Sequence, residues 1–230
     1  MSEIVTQERL RGVTNFNVIY HVYSRTPHKV LRTGIIHHMN IGVWGDSIVY
    51  GGGDENAYGW VGLLRKHYYN NDFTVYDRGV CGDTTQGLLK RFETESDSIN
   101  PDIIIIAIGI NDSELLHNAD DTKVPLTSFK KNVLALLTIA RQRAEKIILV
   151  GLTDLNFEIQ EIDSWFSDET IENFDTCLSD IGKEFNLTFI SMKNVLDVKN
   201  DLLDGIHPNT NGCKKMFDMI LPEVQKKLNI

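Results

Sequence analysis

Two short stretches far apart in the chain hold residue types suited to nucleophilic chemistry. In the first, an apolar run (Ile41, Val43, Trp44) stops at Gly45-Asp46-Ser47; in the second, Asp204-Gly-Ile-His207-Pro208 sets a carboxylate three residues before an imidazole. A serine hydroxyl is weakly nucleophilic until a base takes its proton, and a carboxylate fixes the tautomer of that base and stabilises its protonated form. A turn brings residues i and i+3 within about 7 Å, so Asp204 can reach one nitrogen of His207 while the other faces Ser47. Pro208 biases His207 toward extended backbone, which presents the ring from a loop. Two further positions offer donors to a developing oxyanion: the side-chain amide of Asn111, in Gly109-Ile-Asn111-Asp112, and the backbone N–H of Gly82, in Cys81-Gly82-Asp83-Thr84. Loss of one such donor from an acyl-transfer site costs about 100- to 1000-fold in rate. Each residue also has a plain structural reading: Gly-Asp-Ser as an Asx turn, Asp204 and His207 as a turn with a surface histidine, Asn111 and Gly82 as turn residues.

These residues act together only if the intervening elements bring them to one place. From Met39 onward, short β-type runs alternate with stretches of helical period. Strands are expected over 40–45, 73–76, 102–109, 146–152 and 187–191. Helices are expected over 58–69, from a Thr84 or Thr85 cap to about Glu95, and over 126–143, 169–185 and 211–221, with Pro222 ending or kinking the last. The isoleucine run 103–106 marks the third strand as buried on both faces and central. Gly51-Gly52-Gly53 reads as a loose loop after the serine turn, and 154–168, without a clear period, as a loop over one sheet edge. The alternation implies parallel strands with right-handed crossovers, hence an α/β fold: a three-layer α/β/α sandwich on five strands. Carboxyl ends of parallel strands share one rim, where open α/β sheets bind ligands, so Ser47, Gly82, Asn111 and the 204–207 segment can converge.

In order and spacing, Gly45-Asp46-Ser47, Gly82-Asp83-Thr84, Gly109-Ile110-Asn111-Asp112 and Asp204-Gly205-Ile206-His207-Pro208-Asn209 resemble the four signature blocks of the SGNH hydrolases, or GDSL esterases and lipases. The resemblance covers about residues 39–228. It implies a flavodoxin-like sheet and a serine esterase acting through an acyl-enzyme on small carboxylic esters: short acyl, O-acetyl carbohydrate, lysophospholipid or thioester. By position, Ser47 would be the nucleophile, His207 the base and Asp204 its orienting partner. The oxyanion hole would combine the Ser47 and Gly82 backbone N–H groups with the Asn111 amide. No metal or organic cofactor is implied. Many members place asparagine where Asp77 stands, which puts its supporting hydrogen bonds in doubt. Thr153-Asp154-Leu155-Asn156 replaces a proline-containing turn of related bacterial members and suggests an altered substrate rim. Asp46 and Asp112 read as supports of the site rather than as second acids. Cys81 reads as a packing residue, with oxidation sensitivity as the alternative. Tyr50, Tyr58, Trp165 and Phe166 are candidates to line the cleft, against the alternative of local core.

Composition narrows the partners. A chain of 230 residues, 42% hydrophobic, fits one α/β domain, and a formal charge of −9 argues against nucleic acid or an anionic membrane. The longest apolar run, 103–110, is too short for a transmembrane segment. Three scattered cysteines (Cys81, Cys177, Cys213) suit neither a disulfide framework nor a zinc site and fit a reducing, cytoplasmic setting. Residues 1–38 stand apart, with +3 against −12 for the remainder and four of the seven histidines, but no secretory apolar core. Within them, 17–23 alternates like an edge strand, and the His37-His38 pair reads as solvated linker rather than metal ligand. The expected division is therefore an extension of unknown role at 1–38 and a hydrolase domain at 39–230; composition assigns no oligomeric state. The rival from another class is a non-catalytic flavodoxin-like module that binds an acylated or glycan ligand. A phosphate binder is disfavoured, because Asp54 and Glu55 follow the glycine cluster.

Overall fold

The isoleucine run forms the centre of the sheet. In the computed structural model, which describes residues 38–69, 71–116, 121–159 and 165–230, Ile103–Ala107 is strand β3, and Ile103 to Ile106 are buried. Burying each such side chain contributes about 1.5–3 kcal/mol, which favours a strand covered on both faces. Strands β1 (Met39–Gly45), β2 (Phe73–Gly79), β4 (Lys146–Val150) and β5 (Thr188–Ile190) complete a parallel sheet in the order β2-β1-β3-β4-β5. After a short helix α1 (Ser47–Tyr50), helix α2 (Gly59–His67) packs on α6 (Thr210–Leu228). The other layer is α3 (Thr85–Ile99), α4 (Leu126–Arg141) and α5 (Asp168–Glu184). This is the expected α/β/α sandwich. The strand order reverses at β1, whose neighbours are β2 and β3, so the crevice between the β1 and β3 carboxyl ends is the switch point at which such sheets bind ligands. Ser47 follows β1 and Asn111 follows β3, one on each side of it.

Four elements differ from expectation. Helix α1 is four residues long, too short to show a period. Strand β2 continues past Tyr76 because Asp77, Arg78 and Gly79 keep pairing with Val43, Trp44 and Gly45. Helix α3 runs on to Ile99, burying Ser96 and Ile99. Helix α6 passes through Pro222 to Leu228. A proline inside a helix costs about 3 kcal/mol, and burial of Val224 and Leu228 beyond it offsets that at about 1.5–3 kcal/mol each. Phe166 is a core residue at 4% exposure and so does not line a cleft, whereas Tyr50, Tyr58 and Trp165 are exposed. The expected strand at 17–23, His37 and the extension up to it lie outside the described residues. Among the described residues no helix is long and apolar enough to cross a membrane.

Candidate active site

Ser47 is set at the end of β1 by the side chain before it. Asp46 caps α1 by accepting the Ile48 N–H at 2.9 Å, and Gly51, at φ 86°, closes the turn with its N–H on the Ser47 carbonyl at 3.0 Å. The end of β2 presses on this turn: a Cβ on Gly79 would lie 2.3 Å from the Tyr50 nitrogen. Burial pushes the Asp46 carboxyl up to about 7 against the Ile48 hydrogen bond, and the nearby Asp112 and Asp83 charges add to the rise. Asp112, beneath the rim, is pushed up to about 6 by burial, opposed by hydrogen bonds from Thr85. Thr85 donates its hydroxyl to Asp112 at 2.5 Å and its N–H to both carboxyl oxygens at 3.0 and 3.1 Å. Asp112 thus ties the start of α3 to the loop after β3.

His207 sits on a loop closed on itself. Leu202 bridges Pro208, the Leu203 N–H donates to the His207 carbonyl at 2.8 Å, and the Asn209 N–H donates to the Asp201 carbonyl at 2.8 Å. Buried Asp201 pairs with Lys215 at 2.5 Å. Within the loop, Asp204 Oδ1 accepts the N–H groups of Ile206 (3.1 Å) and His207 (2.9 Å), while Oδ2 lies 2.7 Å from His207 Nδ1. Across the rim, His207 Nε2 lies 2.8 Å from Ser47 Oγ. The assignment that satisfies both contacts has Nδ1–H donating to Asp204 and Nε2 accepting the serine hydroxyl. Partial burial pushes the Asp204 carboxyl upward, but the hydrogen bonds from the His207 backbone, its ring and Ile206 outweigh this and hold it below the ordinary carboxylate value.

The glycine cluster is packed rather than loose. A Cβ on Gly53 would lie 2.6 Å from the Pro208 carbonyl oxygen and 2.7 Å from His207 Cβ, so the chain can pass behind the histidine only as glycine. Asp54 then accepts the N–H groups of Asn56, Tyr58 and Gly59 and the Thr210 hydroxyl (2.6 Å), fastening this loop to the start of α6. From the turn after β4, the Asn156 N–H donates to the Gly205 carbonyl at 2.9 Å and braces the histidine loop.

Two of the candidate oxyanion donors, Gly82 and Asn111, come together at the β2–α3 loop. Gly82 takes φ +73°, and open space surrounds the position where its Cβ would be. One N–H of the Asn111 amide donates to the Asp83 carbonyl at 3.0 Å, which leaves the second available. Neither the Ser47 nor the Gly82 backbone N–H donates a hydrogen bond within the described residues. Cys81 is exposed, which corrects its reading as a packing residue: its loop turns it out of the core. Asp77 keeps a supporting bond, accepting the Gly79 N–H at 2.9 Å. Among the described residues no group of three or more His, Cys, Asp or Glu side chains is placed to hold a metal ion.

The sequence profile of the GDSL-like lipase/acylhydrolase family matches residues 43–215. The chain belongs to that family. It is accordingly a carboxylic ester hydrolase. Among characterised relatives, the esterase TesA of Pseudomonas aeruginosa is 23% identical over 191 residues, covering 81% of this chain and 88% of its own length. An acetylxylan esterase of Geobacillus stearothermophilus is 26% identical over 174 residues, covering 71% of this chain and 78% of its own. The crystal structure of the lipase/acylhydrolase from Enterococcus faecalis shares the fold, with a TM-score of 0.69 at 22% identity over 82% of this chain and 96% of its own.

Proposed function

We propose that this family member is a serine esterase hydrolysing small carboxylic esters, of short-acyl, O-acetyl carbohydrate or lysophospholipid type, through Ser47, His207 and Asp204, with residues 39–230 as the catalytic unit. The observation that carries the reading is the unbroken hydrogen-bonded chain from Ser47 Oγ through the imidazole to Asp204, at 2.8 and 2.7 Å. His207 Nε2 takes the Ser47 proton as the oxygen attacks the ester carbonyl, and Asp204 steadies the imidazolium. The Ser47 and Gly82 backbone N–H groups and the Asn111 amide stabilise the tetrahedral oxyanion. Collapse passes the proton to the leaving alkoxide and leaves an acyl group on Ser47; water, activated by the same imidazole, releases the acid. The acetylxylan esterase relative and the exposed rings of Tyr50 and Trp165 favour a leaving group with a sugar face.

The test is hydrolysis of p-nitrophenyl esters from acetate to decanoate and of an acetylated xylo-oligosaccharide. The expected result is an optimum at acetate or butyrate, lost by at least about 10^4-fold in Ser47→Ala. An undiminished rate in that variant would overturn the assignment.

A further inference from the structure

Arg91 projects from the second turn of α3 back toward the rim, because helical side chains lean toward the N-terminus. Its side chain is 18% exposed, and all three of its nitrogens donate hydrogen bonds. Nε donates to Asp83 Oδ2 at 2.9 Å, and Nη2 pairs with the same oxygen as an ion pair at 2.8 Å. Nη2 also donates to the Gly45 carbonyl (3.0 Å), and Nη1 donates to the Arg78 carbonyl (3.0 Å) and Glu95 Oε2 (2.8 Å). Glu95 is itself fixed by the Trp44 indole N–H at 3.0 Å. Gly45 lies two residues before Ser47; Asp83 follows Gly82, and its carbonyl holds the Asn111 amide. One guanidinium therefore joins directly the backbone stretches that carry Ser47 and Gly82, and the Asn111 amide is tied to them through the Asp83 carbonyl.

We propose that Arg91 is a positioning residue that sets the spacing of the Ser47 N–H, the Gly82 N–H and the Asn111 amide. The inference rests on the catalytic reading above. A lysine keeps the charge but offers donors from one nitrogen, which cannot span Asp83, Gly45 and Arg78 at once. Loosening this clamp acts on the oxyanion, which forms in the transition state, so kcat suffers while substrate binding does not.

The experiment compares Arg91→Lys, Asn111→Ala, their double variant, Ser47→Ala and, as a control, Arg143→Lys on the best p-nitrophenyl ester, with near-ultraviolet circular dichroism to verify folding. Arg143 clamps the far end of the same helix through Glu93 and Asp97 and has no contact with the rim. Arg91→Lys is expected to lower kcat about 10- to 100-fold at a KM within about threefold of wild type, whereas Arg143→Lys leaves kcat unchanged. The double variant is expected to fall short of the product of the two single losses by about threefold or more, because both act on one set of donors. Should Arg91→Lys fail to fold, Glu95→Gln, which removes only the anchor of the guanidinium, is expected to lower kcat about 3- to 10-fold at unchanged KM. Unchanged kcat, a loss shared equally with KM, or strictly multiplicative losses, with Ser47→Ala inactive and Asn111→Ala measurably impaired, would overturn the role of Arg91 alone. Full activity in Ser47→Ala would overturn the catalytic reading and the clamp with it.

Discussion

On the β1 side of the rim the polar groups are buried: Asp46, Ser47 and Asp112 are 2%, 7% and 0% exposed, whereas on the histidine side the Asp204 side chain is 52% exposed. The two carboxylates nearest the Ser47–His207 pair accordingly shift in opposite directions. Burial dominates at Asp46 and raises it to about 7, while hydrogen bonds from its own loop prevail at Asp204 and lower it. Geometry on the first side comes from the sheet, from buried partners such as Thr85 and from close approach at Gly79. On the second it comes from hydrogen bonds within a handful of residues, where solvent water can reach the base. The division suits the roles proposed above for Ser47 and His207.

The largest expected effect is on the exposed side. Asp204→Asn keeps the shape of the loop but removes the charge that orients and stabilises the imidazolium, so kcat is expected to fall about 10^3- to 10^4-fold. Thermal unfolding should move little, the group being half exposed; a large loss of stability with intact kcat would erase the contrast between the two sides. Gly53→Ala probes the packing that joins them. Its new methyl meets backbone and Cβ atoms of the histidine loop, and kcat is expected to fall about 10- to 100-fold through displacement of His207, more than in Gly52→Ala, whose nearest neighbour would be the Ser47 carbonyl oxygen at 3.3 Å. Steady-state rates of the two variants check this, and equal losses would contradict it.

On the buried side the effect is read as stability rather than as rate. With Asp46 raised to about 7 in the folded chain from the ordinary 3.8 of a solvated aspartate, the folded state holds the extra proton between those values. The contribution of Asp46 is therefore most favourable below about pH 4 and declines as pH rises toward 7 and above, by on the order of 4 kcal/mol. Asp46→Asn, which keeps an acceptor for Ile48 but does not titrate, should gain on the wild type between pH 5 and pH 8 in urea unfolding. A constant difference across that range would show the carboxyl to be ionised throughout. Asp204 has the opposite sign: its contribution is present above the ordinary carboxylate value and declines on acidification.

What was legible in the sequence was local. The isoleucine run of β3, the glycine-bounded end of β1 and the cap residue at Thr84 declare themselves within a few positions, and they located the central strand and the loops at the strand ends. The rest depended on distant atoms. Arg91 reads as one more polar residue on a helix surface, because its acceptors lie on β1, on the end of β2 and in the loop before its own helix. The packing of Gly53 depends on His207, far along the chain. At Pro222 the local rule left an end or a kink open, and burial beyond it carried the helix to Leu228; Cys81 is exposed where packing was expected, and Phe166 takes the core alternative, because the paths of their loops decide which side faces the core.

The central claim, that Ser47 is the nucleophile and is activated through His207 by Asp204, is tested most directly by fluorophosphonate labelling followed by peptide mass mapping. One adduct on Ser47 is predicted in the wild type, none in Ser47→Ala, and labelling of Asp204→Asn slowed in parallel with its kcat. An adduct on another residue, or a wild type that takes up no label, would contradict the account.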